Sequence, residues 1–503
     1  MTMLQSVLAW SLVLWPGLVL AAQYDTVLLG GRVMDPESGL DAVRNVGIRD
    51  GRIATISRRA LKGREVIDAS GHVVTAGFID AHFHWVRPVG YKLGLRDGVT
   101  TAMDLEFGAL GTQVEQWYEQ RAGQTQVNYG TSASHELARS KVLDDAQALD
   151  APTAGATRTA GSGWSETVAD VDQGRRILAV LDAGLRAGAV GVGSTLGYMP
   201  GVTAQEMYAV QAQAAGYGRQ TSVHLRHTPG TATSEVNGAQ EVMANAVALG
   251  APLSINHFNN PGWRQVQTLL LGLRAAGHNI WGEIYPYAAG STTINAVFLR
   301  PESWVEALGR RYEDTMFDPQ TQTFYTRERY EQTVAEAPAT VVVLYKMPAD
   351  LVPDWLRLPG ITMGSDGMPI PGDWPWPTAY SALPNMHPRG AGARGKSLRM
   401  AREHDIPLMQ VLAALSYNVA RYLGDTGLVA LQERGRMQEG KVADIVIFDP
   451  DTVTDKATYA QGTRPTEGIP WVLVNGVVTV RDGAVLADVA AGQPIRFAPL
   501  ANP

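Results

Sequence analysis

Residues 76–85, AGFIDAHFHW, place His82 and His84 two positions apart at the end of a short apolar run. On a strand, side chains at i and i+2 leave the same face, so both imidazoles can address one point. Such a pair alone also occurs as packed or surface histidines, but four more ionisable residues stand in comparable places. Glu106 follows the apolar run 99–105, His224 follows 221–223, His257 follows 252–255 and Asp366 follows 361–363. Four of the ten histidines thus occupy strand ends. Four imidazoles and two carboxylates suffice for one or two divalent ions with a carboxylate bridging. The donor set suits Zn2+ best, with manganese, cobalt, iron or nickel also accommodated. Two ions about 3.5–4 Å apart acidify a bound water to a pKa of about 7 and polarise a carbonyl oxygen, the chemistry of metal-assisted hydrolysis. Asp104 is the competing carboxylate, on the same strand face as Glu106 but deeper.

These strand ends imply an element plan. Eight short apolar runs lie at 77–79, 99–105, 127–134, 190–194, 221–223, 252–255, 279–284 and 361–363, with helix-like stretches such as 174–187, 204–215, 235–249 and 264–276 between them. That alternation predicts an α/β fold, a (β/α)8 TIM-like barrel whose catalytic face is built by the C-terminal ends of the strands. The barrel covers residues 76–435. This exceeds the ~250 residues usual for the fold, so insertions are expected near 135–170, near 298–355 (mostly helical and polar) and near 367–388.

Residues 24–74 alternate apolar and polar positions, with turns at Gly30-Gly31, Asp50-Gly51 and Ser70-Gly71. The same texture returns at 443–449, 470–480 and 483–486, where Asn475-Gly476 marks a hairpin. A small β-sandwich domain formed by both chain ends, residues 23–75 and 436–503, is therefore expected around the inserted barrel. Residues 4–22 form an apolar run broken by Pro16 and Gly17 and ending in small residues, although no Lys or Arg precedes Arg32. The run predicts a cleaved signal peptide over residues 1–22 and an exported enzyme, periplasmic or secreted. No other run approaches the about 20 apolar residues of a spanning helix, so no stable membrane anchor is expected.

Composition narrows the function classes. The 503 residues are 45% hydrophobic and 18% charged, which is globular, and 42 Lys plus Arg against 49 Asp plus Glu leave a net charge of −7 without a basic run. No nucleic-acid partner is implied. Cysteine is absent, which excludes disulfides, thiolate ligands and a Cys nucleophile. A small-molecule enzyme is expected, with homo-oligomerisation left open.

The motifs YDTVLLGGRVMD, EVIDASGHVVTAGFIDAHFH, GVTT, STLGYMPG, SVHLR, YPYAAGSTT, GSDGMP, MHPRG, GRMQEGKVADIVIFDPDTVTDKATY and VLVNG span nearly the whole mature chain. Together they resemble the amidohydrolase superfamily and, more narrowly, the N-acyl-D-amino-acid deacylases (D-aminoacylases). The resemblance implies that His82 and His84 bind one ion and His224 and His257 the other. It implies Asp366 as general base and then acid, taking a proton as metal-bound hydroxide attacks the amide carbonyl and passing it to the leaving amine. Tyr198 in GYMPG would donate to the carbonyl oxygen or oxyanion, and Tyr285, Ser291 and Arg389 would hold the substrate carboxylate. The implied activity is hydrolysis of a linear amide, an N-acyl (D-)amino acid or related conjugate.

Three departures from the family stand out. Glu106 occupies a place where these deacylases carry a cysteine ligand, so a carboxylate stands in for a thiolate. Asn259 replaces a lysine two residues after His257, removing a cation that would serve an anionic substrate. The segment between Asp366 and Arg389 is long and holds Trp374 and Trp376, suited to lining a hydrophobic pocket or to lid packing. The missing lysine keeps a second reading open: a cyclic amide, lactone or dipeptide hydrolase on the same metal site. A non-catalytic binding protein is a remote third, opposed by a ligand set in which no position holds a residue unable to bind metal.

Overall fold

The computed structural model describes residues 23–154, 158, 161–226, 237–370 and 372–500. The export signal expected over residues 1–22 lies outside them. Among the described residues, no helix is long and apolar enough to cross a membrane.

The eight expected strands all form. They are β1 (Phe78–Asp80), β2 (Val99–Ala109), β3 (Asn128–Ser134), β4 (Gly191–Ser194), β5 (Gln220–Val223), β6 (Leu253–Ile255), β7 (Ile280–Ile284) and β8 (Thr362–Met363). Each pairs in parallel with its chain neighbour, in the order β1 to β8. The seam between β8 and β1 closes just beyond the strand ends, where Asp366 N donates to His82 O (2.8 Å) and His84 N to Gly367 O (3.1 Å). All eleven residues of β2 and all seven of β3 are buried, as parallel strands covered on both faces must be.

Local chemistry sets the helix starts. The helix Val171–Arg186 opens with a reciprocal capping box in which Asp170 accepts from Gln173 N (2.8 Å) and Gln173 Oε1 accepts from Asp170 N (2.9 Å). Thr203 and Asn237 cap Ala204–Gly216 and Gly238–Leu249, and Gly250 ends the latter in the left-handed region.

Both chain ends enter one nine-stranded sheet in which Val73–Ala76 pairs antiparallel with Ile445–Phe448. Leu28, Val46, Ile48, Ile67, Ile445 and Leu473 belong to one buried apolar cluster within it. The tail does not stay in this domain as expected for residues 436–503. Ile495 N donates to Tyr129 O (2.7 Å) and Phe497 N to Gly188 O (3.0 Å), so residues 495–497 lie on the barrel.

The segment 298–355, expected to be mostly helical, holds the helices Glu302–Ala307, Tyr312–Thr315 and Arg327–Glu336 and also three strands. It joins Ala289–Thr293 to build a four-stranded sheet with Val341–Tyr345, Met316–Asp318 and Thr323–Phe324. This sheet has its own core of Ile294, Leu299, Trp304, Tyr312, Met316, Tyr330 and Val342. Its strands are only two to five residues long, too short to show as a strand pattern in a polar, largely helical sequence.

A buried ion pair fastens the seam. Arg394 Nη1 lies 2.7 Å from Asp80 Oδ2, with both side chains at most 1% exposed, and Asp80 Oδ1 accepts from His82 N and Ser365 N (both 3.1 Å). Arg394→Met would leave the Asp80 charge buried and unpaired and is expected to cost about 3–5 kcal/mol, read as a lowered midpoint in urea denaturation.

Candidate metal centre

Beyond β1 the chain turns so that the His82 and His84 rings meet edge to face, with centroids 4.7 Å apart. Their Nε2 atoms are 3.0 Å apart and lie 3.1 and 3.3 Å from Glu106 Oε2. The other Glu106 oxygen, Oε1, lies 3.0 Å from His257 Nε2 and 3.3 Å from His224 Nδ1, which are 2.9 Å from each other. One buried carboxylate thus stands between two imidazole pairs, giving the donor triads His82/His84/Glu106 and Glu106/His224/His257.

The donor set fits a metal. His82 Nδ1 faces Glu283 Oε1 (2.6 Å) and His84 Nδ1 faces Asp104 Oδ1 (3.1 Å). If those ring nitrogens are the donors, both Nε2 lone pairs point at each other and at a carboxylate, an arrangement that only a proton or a cation relieves. Ligand atoms around a tetrahedral ion with bonds of ~2.0–2.2 Å stand roughly 3.3–3.6 Å apart, close to the separations in each triad. Carboxylates behind ligating histidines fix tautomer and ring orientation.

Electrostatics point the same way. Burial pushes His82 and His84 down, but Glu106, Glu283 and Asp366 around His82, and Asp104, Asp366 and Glu106 around His84, outweigh it and hold both well above the ordinary imidazole range. Burial pushes Glu106 up, but His82, His224 and His257 outweigh it and hold the carboxyl well below the ordinary carboxylate range. His257 is pushed down to about 4 by burial and by neighbouring His224. Cation binding must therefore displace protons, so loading weakens as pH falls.

Backbone features aim these groups. A bulge in β2 between Asp104 and Ala109 turns Glu106 toward the centre, and Gly108 takes φ +83° there. Asp104 Oδ1 accepts from Phe107 N and Gly108 N (both 3.2 Å), so the competing carboxylate organises the bulge and backs His84. A β-carbon at Gly193 would collide with the Glu106 carbonyl, and one at Gly364 would fall 2.6 Å from the Glu283 carboxyl carbon. His257 (φ +30°) and Asp366 (φ +52°) are held in the left-handed region that non-glycine residues avoid, as occurs at functional sites.

Asp366 Oδ1 lies 3.5 Å from Nε2 of both His82 and His84, while Oδ2 meets Arg389 Nη1 at 2.8 Å. Despite burial, Arg389 and the histidines keep Asp366 ionised far below the usual range. The Tyr198 hydroxyl bonds Thr292 Oγ1 (2.8 Å), and its ring lies 4.8 Å from that of His224. Burial pushes this phenol up, so it remains a donor. Tyr285, Ser291 and Arg389 share one wall, where Arg389 Nη2 donates to Ser291 O (3.2 Å) and Arg389 Cζ lies 4.8 Å from the Tyr285 ring centroid.

All the expected site residues except the fully buried His82 line one cavity of about 1670 Å³. Trp374 lines it too, whereas the Trp376 carbonyl accepts from Lys92 Nζ (3.0 Å). Asn259 is not in the wall; its amide nitrogen donates to Tyr285 O (3.0 Å). Sequence reasoning missed Glu283, whose signal was a lone carboxylate inside the apolar run NIWGEI, and Thr292.

Two donor triads at the C-terminal rim of a closed (β/α)8 barrel define the class: a metal-dependent hydrolase site. The chain belongs to the amidohydrolase family, whose model matches residues 65–487. It is 27% identical over 491 residues to an N-acyl-D-aspartate deacylase of Alcaligenes xylosoxydans xylosoxydans, covering 90% of this chain and 92% of that one. A D-aminoacylase of the same organism is 26% identical over 526 residues, covering 93% and 98%. Among solved structures, an N-acyl-D-glutamate deacylase from Bordetella bronchiseptica, complexed with zinc and a phosphonate mimic of the tetrahedral intermediate, superimposes with a TM-score of 0.74. It is 25% identical, with 94% of this chain and 100% of that one covered.

Glu106→Ala is expected to lose at least one ion and Glu106→Cys to retain metal, measured by elemental analysis of purified protein. Glu283→Gln is expected to weaken metal affinity about 10–100-fold, measured by competition with a chelator.

Proposed function

We propose that this amidohydrolase is an N-acyl-amino-acid deacylase with Zn2+ as its ion, cleaving a linear amide to a carboxylate and a free amine. The observation that carries the reading is the position of Asp366, ionised by Arg389 and 3.5 Å from both histidines of one triad. The deacylase names of the relatives support the substrate class and D-configuration.

The ions would be held by His82, His84 and Glu106 and by Glu106, His224 and His257. Bound there, zinc would supply polarisation of the amide carbonyl and acidification of the attacking water. Asp366 takes a proton from that water as its oxygen bonds the carbonyl carbon, then delivers the proton to nitrogen as the C–N bond breaks. Tyr198, kept protonated by burial, donates to the oxygen on which charge develops.

A screen of paired D- and L-N-acyl amino acids, including aspartate, glutamate and leucine derivatives, tests the substrate by release of free amine. Asp366→Asn is expected to lose about 10²–10⁴-fold in kcat while retaining metal; an active Asp366→Asn enzyme would overturn the assignment.

A further inference from the structure

The inserted sheet brings a cation to the cavity that the barrel strands do not supply. Strand Val341–Tyr345 pairs with Ala289–Thr293 in the register Ala289 to Tyr345 and Ser291 to Val343, and Met347 N donates to Ala288 O (3.2 Å). Lys346, between these bonded positions, lines the cavity with its Nζ 5.7 Å from the Tyr285 ring centroid. A β-carbon on Gly290 would lie 3.2 Å from both Lys346 Nζ and the Tyr285 hydroxyl, so ammonium and phenol flank the same small gap.

This gap is rich in donors and poor in acceptors. Arg389 Nε and Ser291 Oγ are buried with no hydrogen-bond partner. Arg389 spends Nη1 on Asp366 and Nη2 on the Ser291 carbonyl, leaving Nε to donate, and among the described residues no carboxylate comes within ion-pair distance of Lys346. Burial, together with the neighbouring Arg389 charge, pushes the Lys346 ammonium down to about 7, the mark of a cation lacking its counter-ion. A carboxylate placed here would find the ammonium and the phenol at the gap, with the unpartnered serine hydroxyl and Arg389 Nε on the same wall.

We propose that Lys346 is a substrate-binding residue that, with Tyr285, Ser291 and Arg389, holds the α-carboxylate of the N-acyl amino acid. The proposal rests on the deacylase reading above and adds a cation from an element outside the barrel. It also accounts for Asn259, whose amide braces the chain after β7 while Lys346 provides the charge.

The test compares wild type, Lys346→Met and Lys346→Arg on the best N-acyl amino acid, on its carboxamide analogue and on N-acyl-D-aspartate. Losing one charge-assisted contact is expected to raise KM for the free acid about tenfold or more. In Lys346→Met the loss should fall on KM rather than kcat and be clearly larger for the free acid than for the carboxamide, while Lys346→Arg should restore KM to within a few-fold. Equal losses on acid and carboxamide would overturn the proposal, as would a loss confined to the acidic side chain. Absence of wild-type turnover would instead defeat the deacylase reading. In that case calorimetric binding of the same acid and carboxamide still reads the site, and equal wild-type affinities for the two would overturn the role of Lys346.

Discussion

Glu106 is buried between four imidazoles, and much of the architecture answers to that one placement. A carboxylate out of water is tolerated only where opposite charge and hydrogen bonds compensate it. Here the compensation runs outward in layers, with histidines on both oxygens and then Glu283 and Asp104 behind the first pair. Like lone pairs brought to about 3 Å make the same cluster a strong cation trap. The interactions that would attract a metal are those that distort the histidine pKa values when protons take its place.

Holding six such groups within contact distance demands backbone that would not form unaided. The β2 bulge, the bare glycines facing Glu106 and Glu283, and the left-handed backbone of His257 and Asp366 each oppose stability locally. They persist because barrel closure over-determines them. The bonds that shut the seam, Asp366 to His82 and His84 to Gly367, run between site residues or their immediate neighbours. The centre and the fold's closure are therefore one set of contacts, with the Asp80–Arg394 pair buried directly beneath.

Around this rigid rim the inserted segment provides a different kind of wall. Its four-stranded sheet packs on its own aromatic core and presents Thr292 to Tyr198 and Lys346 to Tyr285. The candidate metal donors thus reside on barrel strand ends, while part of the cavity wall is supplied by a separately packed element. This division is how one barrel accommodates many substrates.

The donor types, the eight strand positions and the two-ended β domain are legible without coordinates, because each is written in short-range pattern: apolar runs, i and i+2 spacing, turn residues. The same pattern points to His82, His84, Glu106, His224, His257 and Asp366, since each lies at or within a few residues of the end of an apolar run. Only the tertiary structure decided between Asp104 and Glu106, paired His82 with Glu283 across 201 residues, locked Arg389 onto Asp366, and delivered Lys346 from an inserted sheet. Those contacts depend on strand register, a bulge and ring closure, which join residues far apart in the chain and leave no periodicity to read.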